Sequence, residues 1–155
     1  MNILMVCLGN ICRSPLAEGI LRHKITQSGI DAHVESAGFE AFHTGDPPDE
    51  RAIEVAKKNG IDISGHRARL FRVDDFDKFD CIYVMDQNNY RDVMRKVRND
   101  NDRIKVDFIL NELSPGSNIT VPDPYYGRMR EFENVFDMLD QAIEKLAQKL
   151  QVNKK

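Results

Sequence analysis

Residues 2–18, NILMVCLGNICRSPLAE, join an apolar run to a short polar loop and then to the start of an amphipathic segment. The run at residues 3–6 is typical of a buried strand, while Pro15 suits the first position of a helix and Ser14 its N-cap. A strand that passes through a short loop into a helix leaves backbone N–H groups pointing into one concavity, at the positive end of the helix dipole. The stretch therefore predicts an α/β fold with an anion-binding loop between its first strand and first helix.

Two side chains in this loop indicate chemistry. Cys7 directly follows the strand, and N–H groups that bind an anion also stabilise a thiolate, which makes Cys7 a candidate nucleophile. Arg13 closes the loop with a planar fork that matches two phosphoryl oxygens. The alternative is a buried structural cysteine beside an ordinary helix cap. On the first interpretation, the residues expected to cradle a phosphate are Leu8, Gly9, Asn10, Ile11, Cys12 and Ser14.

This loop, together with Asp123-Pro124-Tyr125-Tyr126 far downstream, resembles the low-molecular-weight protein tyrosine phosphatase family. The resemblance covers nearly the whole chain, from Asn2 to about Leu150. It implies hydrolysis of phosphotyrosine and small aryl phosphates through a phosphocysteine intermediate on Cys7. It also implies phosphotyrosyl proteins as substrates, and inorganic phosphate and other oxyanions as inhibitors.

Asp123 is the candidate general acid and base. It lies in a long stretch without helical or strand periodicity, residues 111–128, and Pro122 and Pro124 on either side restrict its backbone. The loop alone leaves a turn-forming aspartate equally open, but the resemblance assigns the general acid to this Asp-Pro pair. The other such pair, Asp46-Pro47, is interpreted as the N-cap and start of a helix.

Further residues are expected around the site. Asn10 tolerates a positive φ, and the Ser14 hydroxyl is placed to donate to the Cys7 sulfur. The resemblance implies that Ser36 and His66 form supporting hydrogen bonds around Asn10. The rim of the substrate cleft is expected to consist of Tyr125 and Tyr126 with Phe42 opposite, since this chain lacks the tryptophan that many relatives have there.

Strand and helix patterns alternate along the chain, which predicts a doubly wound fold of the Rossmann-like or flavodoxin-like kind. Its four-stranded parallel sheet would be flanked by helices on both faces, with Cys7 at the ligand-binding edge where strands end. The chain of 155 residues is expected to form a single domain, residues 1–155, with a frayed tail at its last few residues. The predicted strands are residues 3–6, 33–37, 81–85 and 104–110, and the predicted helices are 15–28, 47–59, 88–97 and 132–150.

Composition narrows the possible functions. The net charge of −3 argues against general binding to nucleic acids or to anionic membranes. The N-terminus shows no signal segment, and no apolar run approaches spanning length, which predicts a cytoplasmic protein. Three cysteines and four scattered histidines match neither a disulfide framework nor a zinc signature, so we expect no metal and no cofactor. Cys81 is interpreted as a small core residue.

Three other functions compete with phosphotyrosine hydrolysis. An arsenate reductase needs two further thiols to relay a disulfide, and only Cys81 remains outside the loop. Arginine phosphatases are similar in the loop but commonly have threonine in place of Ile11, and they lack Tyr125 and Tyr126. A phosphate-binding or phosphopeptide-binding module on the same fold has no need of a nucleophile, an arginine and an acid together.

A redox hypothesis concerns the second loop cysteine. Two thiols five positions apart around one tight loop are placed to meet, and the more reactive thiol oxidises first. A disulfide between Cys7 and Cys12 would switch the enzyme off reversibly. The alternative is that Cys12 fills space beneath the loop.

Overall fold

The β1 strand runs through the middle of the molecule and is buried on both faces, which accounts for its unbroken apolar run. In this computed structural model, which describes residues 1–152, Ile3 and Met5 face one hydrophobic layer and Leu4 and Val6 the other. The elements, in chain order, are β1 (Asn2–Val6), α1 (Arg13–Ser28), β2 (His33–Ala37), α2 (Glu50–Lys58), α3 (Asp75–Lys78), β3 (Cys81–Val84), α4 (Gln87–Met94), α5 (Asp100–Arg103), β4 (Val106–Phe108) and α6 (Met129–Val152).

The four strands form one sheet in the order β2-β1-β3-β4, and every pairing is parallel. Helices α1, α2 and α6 contribute to the larger hydrophobic layer, and α3 and α4 to the smaller one on the opposite face. The predicted doubly wound sheet with helices on both faces is confirmed. The parallel strands all end at one edge, where Cys7 follows β1.

The long final helix confirms its predicted apolar stripe. Seven side chains at helical spacing are all buried: Phe132, Val135, Phe136, Leu139, Ile143, Leu146 and Leu150. The stripe packs α6 against α1 and α2 and is therefore core. Among residues 1–152, no helix combines the length and apolar character that a bilayer span requires. The predicted frayed tail falls mainly on residues outside the described range.

Two predicted helix starts are wrong. Helix α1 begins at Arg13 with Cys12 as its N-cap, so Ser14 and Pro15 lie inside the first turn. Asp49, not Asp46, caps α2, because the Asp49 carboxylate accepts the backbone N–H of Arg51. In both cases the predicted cap side chain is hydrogen-bonded elsewhere: the Ser14 hydroxyl to two loop side chains and the Asp46 carboxylate to His43.

The last strand is shorter than predicted. Only Val106–Phe108 pair with β3, and the chain then turns into a 3-10 helix, Ile109–Glu112. Ile109 and Leu110 are buried, but they pack as part of this turn against α6. Apolar character alone could not separate the two conformations. A second 3-10 turn, Ala41–His43, and the short helices α3 and α5 carry no periodic pattern long enough to predict.

Candidate active site

Cys7 lies at the carboxyl end of β1, at the start of the phosphate-binding loop (residues 7–13). Its side chain is buried, and its backbone N–H donates to the carbonyl of Ala37 at the end of β2. The Cys7 Sγ accepts the backbone N–H of Asn10 at 3.3 Å and lies 3.0 Å from Ser14 Oγ. The sulfur therefore faces donors from both the loop backbone and the first turn of α1.

Asn10 organises the loop from within. It is fully buried with φ +56°, the left-handed conformation that asparagine tolerates. Its Nδ2 donates to Ser14 Oγ at 2.7 Å and to Ser36 Oγ at 3.0 Å, and its Oδ1 accepts the backbone N–H of Arg69 at 3.0 Å. Because Ser14 Oγ accepts from Asn10, its own proton is free to point at the Cys7 sulfur.

The network continues to a carboxylate beneath the loop, Glu18, which the sequence analysis missed. Ser36 Oγ donates to Glu18 Oε1 at 2.5 Å, and His66 bridges the Asn10 carbonyl (Nε2, 3.2 Å) and Glu18 Oε1 (Nδ1, 3.5 Å). Burial tends to raise the pKa of Glu18, but hydrogen bonds from His66 and Ser36 and the charge of Arg22 outweigh it and lower the pKa. An ionised carboxylate thus anchors the network. Its only sequence signal is its position one helical turn after Ser14.

Arg13 is held in place by a second carboxylate that the sequence analysis did not find. The guanidinium is almost fully buried, and its Nη1 donates to Asp86 Oδ2 at 2.7 Å and to the Val121 carbonyl at 2.9 Å. Burial by itself would lower the pKa of Arg13, but the charge of Cys7, the hydrogen bond to Asp86 and the charges of Asp86 and Asp123 outweigh it, so the pKa lies above its ordinary value. Asp86 also caps α4, where its Oδ1 accepts the backbone N–H of Asn89 at 2.8 Å. Arg13 therefore presents its other amino group to the cavity with its charge retained.

Asp123 lies across the cavity from the loop. Its Oδ2 is 3.8 Å from Arg13 Nη2, its Oδ1 accepts the backbone N–H of Tyr125 at 3.1 Å, and its side chain is 43% exposed. Two residues earlier the chain is anchored, since buried Val121 donates its backbone N–H to the Met85 carbonyl at 2.8 Å. The carboxylate is consequently held at the mouth of the site while staying accessible to water.

The cavity between these groups has a volume of about 260 Å³. Asn10, Ser14, Ser36 and His66 are not among the residues that line it and form the supporting network described above. Glu40 and His43 contribute to the lining, although they were not predicted. Among residues 1–152, the lining consists of Cys7, Leu8, Gly9, Ile11, Cys12, Arg13, Glu40, Phe42, His43, Asp123, Tyr125 and Tyr126.

The loop after β2 lies tightly against the phosphate-binding loop. The Leu8 carbonyl accepts the backbone N–H groups of Phe39 at 2.7 Å and of Glu40 at 3.2 Å. A Cβ on Gly38 would lie 2.7 Å from that carbonyl oxygen and 2.9 Å from the Cβ of Asn10. Only glycine leaves room for this approach.

The three cysteines occupy different environments, and none forms a disulfide. Cys12 is buried, and burial together with the charge of Asp49 raises the pKa of its thiol, which keeps it protonated. Cys12 lines the same cavity as Cys7. Cys81 is half-buried at the start of β3 and packs against the larger hydrophobic layer, which agrees with its interpretation as a small core residue except that its burial is incomplete.

Comparisons with known proteins agree on one family. Residues 2–155 match the family model described as low molecular weight phosphotyrosine protein phosphatase. The chain is 42% identical to the Schizosaccharomyces pombe low molecular weight phosphotyrosine protein phosphatase over 141 residues, 89% of each chain. A protein tyrosine phosphatase from Entamoeba histolytica, solved with HEPES in its active site, superposes with a TM-score of 0.90 at 34% identity, covering 100% of this chain and 99% of that one.

A more distant structure belongs to the arginine phosphatase YwlE of Bacillus subtilis. Its C7S mutant with a phosphorylated active-site serine superposes with a TM-score of 0.87 at 25% identity, over 99% of this chain and 98% of that one. Identity is thus higher to the two proteins named as tyrosine phosphatases. A family model matched along nearly the whole chain, relatives at this identity and the geometry of the cavity lead to one assignment: this protein is a phosphatase that belongs to the low molecular weight phosphotyrosine protein phosphatase family.

Proposed function

We propose that this enzyme hydrolyses phosphotyrosine in proteins, and small aryl phosphates, with Cys7 as nucleophile and Asp123 as general acid and base. The observation that carries the proposal is the convergence of three groups on one cavity: the Cys7 sulfur, the Arg13 guanidinium and the Asp123 carboxylate. Each has a different task, and hydrolysis of a phosphate ester by a cysteine needs all three.

In the first step, the Cys7 thiolate attacks phosphorus in line with the ester oxygen, so the S–P bond forms as the P–O bond breaks. The loop N–H groups and Arg13 bind the equatorial oxygens, where negative charge is carried in the transition state. In the free enzyme, Asp123 faces the Arg13 guanidinium. A bound dianionic phosphoryl group pairs with that guanidinium instead. Asp123 in its protonated form then gives its proton to the departing phenolate.

In the second step, a water molecule attacks the phosphocysteine and gives its proton to the Asp123 carboxylate. The S–P bond breaks, inorganic phosphate leaves, and the Cys7 thiolate is regenerated. The Ser14 hydroxyl, whose oxygen accepts from Asn10, donates to the sulfur and stabilises it as a leaving group. The chemistry uses only protein side chains and water.

The walls of the cavity favour an aromatic substrate. Tyr125 and Phe42 line it, Tyr126 is 94% exposed at its rim, and Ile11 adds an apolar contact at the loop. Such side chains suit the ring of a phosphotyrosine, and the higher identity to the proteins named as tyrosine phosphatases than to the arginine phosphatase supports the same substrate. Oxyanions such as phosphate are expected to inhibit by occupying the loop, as the sulfonate buffer in the Entamoeba histolytica structure suggests. A cytoplasmic location and a single-domain organisation remain predictions from the sequence.

The test measures phosphate release from a phosphotyrosyl peptide and a phosphoarginyl peptide, with a chelator present. Wild type is compared with Cys7→Ser and Asp123→Ala. We expect phosphotyrosine turnover with chelator, no turnover by Cys7→Ser, and a loss on the order of 100-fold or more for Asp123→Ala. Preference for phosphoarginine would overturn the assignment of phosphotyrosine as the substrate. Unchanged turnover by Asp123→Ala would overturn the role of Asp123 as general acid.

A further inference from the structure

Arg51 has no part in the chemistry proposed above. Its guanidinium is nevertheless hydrogen-bonded both to Asp49, which caps α2, and to the turn that follows Asp123. Its Nε donates to Asp49 Oδ1 at 3.0 Å and its Nη2 to Asp49 Oδ2 at 2.9 Å. The guanidinium also lies over the ring of buried Phe132, 4.5 Å from the centroid. These contacts fix the plane of the guanidinium independently of the other hydrogen bonds that it donates.

The remaining donors of Arg51 reach the turn that follows the proposed acid. Nη2 donates to the Tyr125 carbonyl at 2.8 Å, and Nη1 donates to the Gly127 carbonyl at 2.7 Å. The turn is closed by a hydrogen bond from the Gly127 N–H to the Pro124 carbonyl at 2.8 Å. One side chain thus holds both the middle and the end of this turn.

Tyr125 links Arg51 to Asp123 through its backbone. Its N–H donates to Asp123 Oδ1 at 3.1 Å, while its carbonyl accepts from Arg51. The backbone group that orients the carboxylate therefore belongs to the same residue that the guanidinium holds. A shift of the Tyr125 backbone would move the hydrogen-bond donor of Asp123 with it.

The other end of this connection lies on the phosphate-binding loop. The backbone N–H of Asp49 donates to the Ile11 carbonyl at 2.8 Å. Asp49 and Arg51 therefore join the loop that binds phosphate to the turn that carries the acid. A lysine cannot replace this fork, because a single ammonium group cannot donate to Asp49 and to two carbonyls with the same planar geometry.

We propose that Arg51 is a positioning residue that sets the place of Asp123 relative to the phosphate-binding loop by holding Tyr125 and Gly127. This inference rests on the proposed role of Asp123 as general acid. Its consequence is selective. Loss of Arg51 weakens protonation of the leaving group and leaves phosphate binding and nucleophilic attack nearly intact.

The experiment compares kcat/KM for phenyl phosphate, whose leaving group needs a proton, with kcat/KM for 2,4-dinitrophenyl phosphate, whose leaving group does not. The variants are Arg51→Lys, Asp49→Asn and Asp123→Ala. Arg98→Lys is the matched control, because Arg98 makes a similar fork, with Asp102 at 2.8 Å and Asp77 at 2.7 Å, and lines no part of the cavity. Thermal melting of all variants records structural losses separately.

We expect Arg51→Lys to lose about tenfold on phenyl phosphate and less than about twofold on the dinitrophenyl ester, with the inhibition constant of phosphate unchanged. Asp49→Asn should show the same pattern more weakly, and it tests the proposal independently if Arg51→Lys folds poorly. Arg98→Lys should lower the melting temperature without any difference between the two substrates.

Equal losses on both substrates, or none, would overturn the positioning role of Arg51. A separate result addresses the proposed function itself. If Asp123→Ala loses no more on phenyl phosphate than on the dinitrophenyl ester, the acid assignment fails. If Asp123→Ala discriminates between the substrates and neither the Arg51 variant nor the Asp49 variant does so, only the positioning role fails.

Discussion

Substitution of Asn10 by alanine tests whether the buried network or the backbone alone shapes the phosphate-binding loop. Alanine removes three side-chain hydrogen bonds, two donated by Nδ2 and one accepted by Oδ1. At about 1 kcal/mol each, their loss costs about 3 kcal/mol of unfolding free energy. Alanine also tolerates the positive φ less well than asparagine, which adds about 1 kcal/mol. The expected total is about 4 kcal/mol.

Asn118 supplies a matched control, because it is the other non-glycine residue with a positive φ, +53°, within residues 1–152. It is exposed, and alanine there removes one side-chain hydrogen bond, accepted by Oδ1 from Asn111 at 2.9 Å. The backbone cost is the same in the two variants and cancels in the comparison. Asn118→Ala should therefore lose about 2 kcal/mol, about 2 kcal/mol less than Asn10→Ala.

The assay is urea unfolding followed by far-ultraviolet circular dichroism for wild type, Asn10→Ala and Asn118→Ala without phosphate. The corresponding fall in melting temperature is roughly 8–16 °C for Asn10→Ala and roughly 4–8 °C for Asn118→Ala in a chain of this size. An Asn10→Ala protein no less stable than Asn118→Ala would refute the reasoning. It would mean that the buried amide contributes nothing beyond its backbone conformation.

Three other predictions concern the same network and loop. Gly38→Ala should destabilise the protein by about 1–3 kcal/mol and weaken phosphate inhibition, since a Cβ there meets the loop at 2.7 Å. Gly65→Ala, with open space at its Cβ, should change neither the stability nor the inhibition. Comparable melting temperatures of the two variants would contradict this prediction. The pKa of Glu18 is lower in the folded than in the unfolded protein, so its ionised form stabilises the fold above about pH 4.5, and this contribution is lost as pH falls through the folded-state pKa. Unfolding free energies measured from pH 7 downward should show that the deficit of Glu18→Gln relative to wild type shrinks below about pH 4.5, and a constant deficit would exclude this linkage. If a disulfide with Cys12 protects Cys7, peroxide-treated Cys12→Ser should recover less activity with dithiothreitol than wild type, and equal recovery would disprove protection.

Local patterns predicted the elements whose signal is carried by neighbouring residues. The apolar run of β1 and the repeating stripe of α6 each identify their conformation without reference to the rest of the chain. The loop between β1 and α1 was likewise predictable, because a strand, a loop and a helix start follow one another directly. These segments also sufficed for the fold class.

Element boundaries were harder, because they depend on which partner a side chain finds. Ser14 has the residue type of an N-cap, but its hydroxyl is engaged by Asn10 and Cys7. Asp49 caps α2, and its backbone is fixed by the Ile11 carbonyl far away in sequence. Propensity alone cannot rank such competing hydrogen bonds.

The supporting residues were the least predictable part of the site. Glu18, Arg51 and Asp86 act on residues up to 76 positions distant in the chain, and each looks like an ordinary helix or cap residue in the sequence. A charged side chain on a helix is usually solvated. No local pattern marks the few that turn inward toward another loop.

By itself, the sequence determined the class of fold and the two short motifs from which the chemistry is inferred, because periodicity, loop length and residue type act between neighbours. Only the tertiary structure decided how those motifs meet. The parallel strands bring their ends to one edge, and hydrogen bonds with specific partners then set the positions of Cys7, Arg13 and Asp123. Such bonds depend on distance and angle between residues remote in the chain, which the order of amino acids does not display.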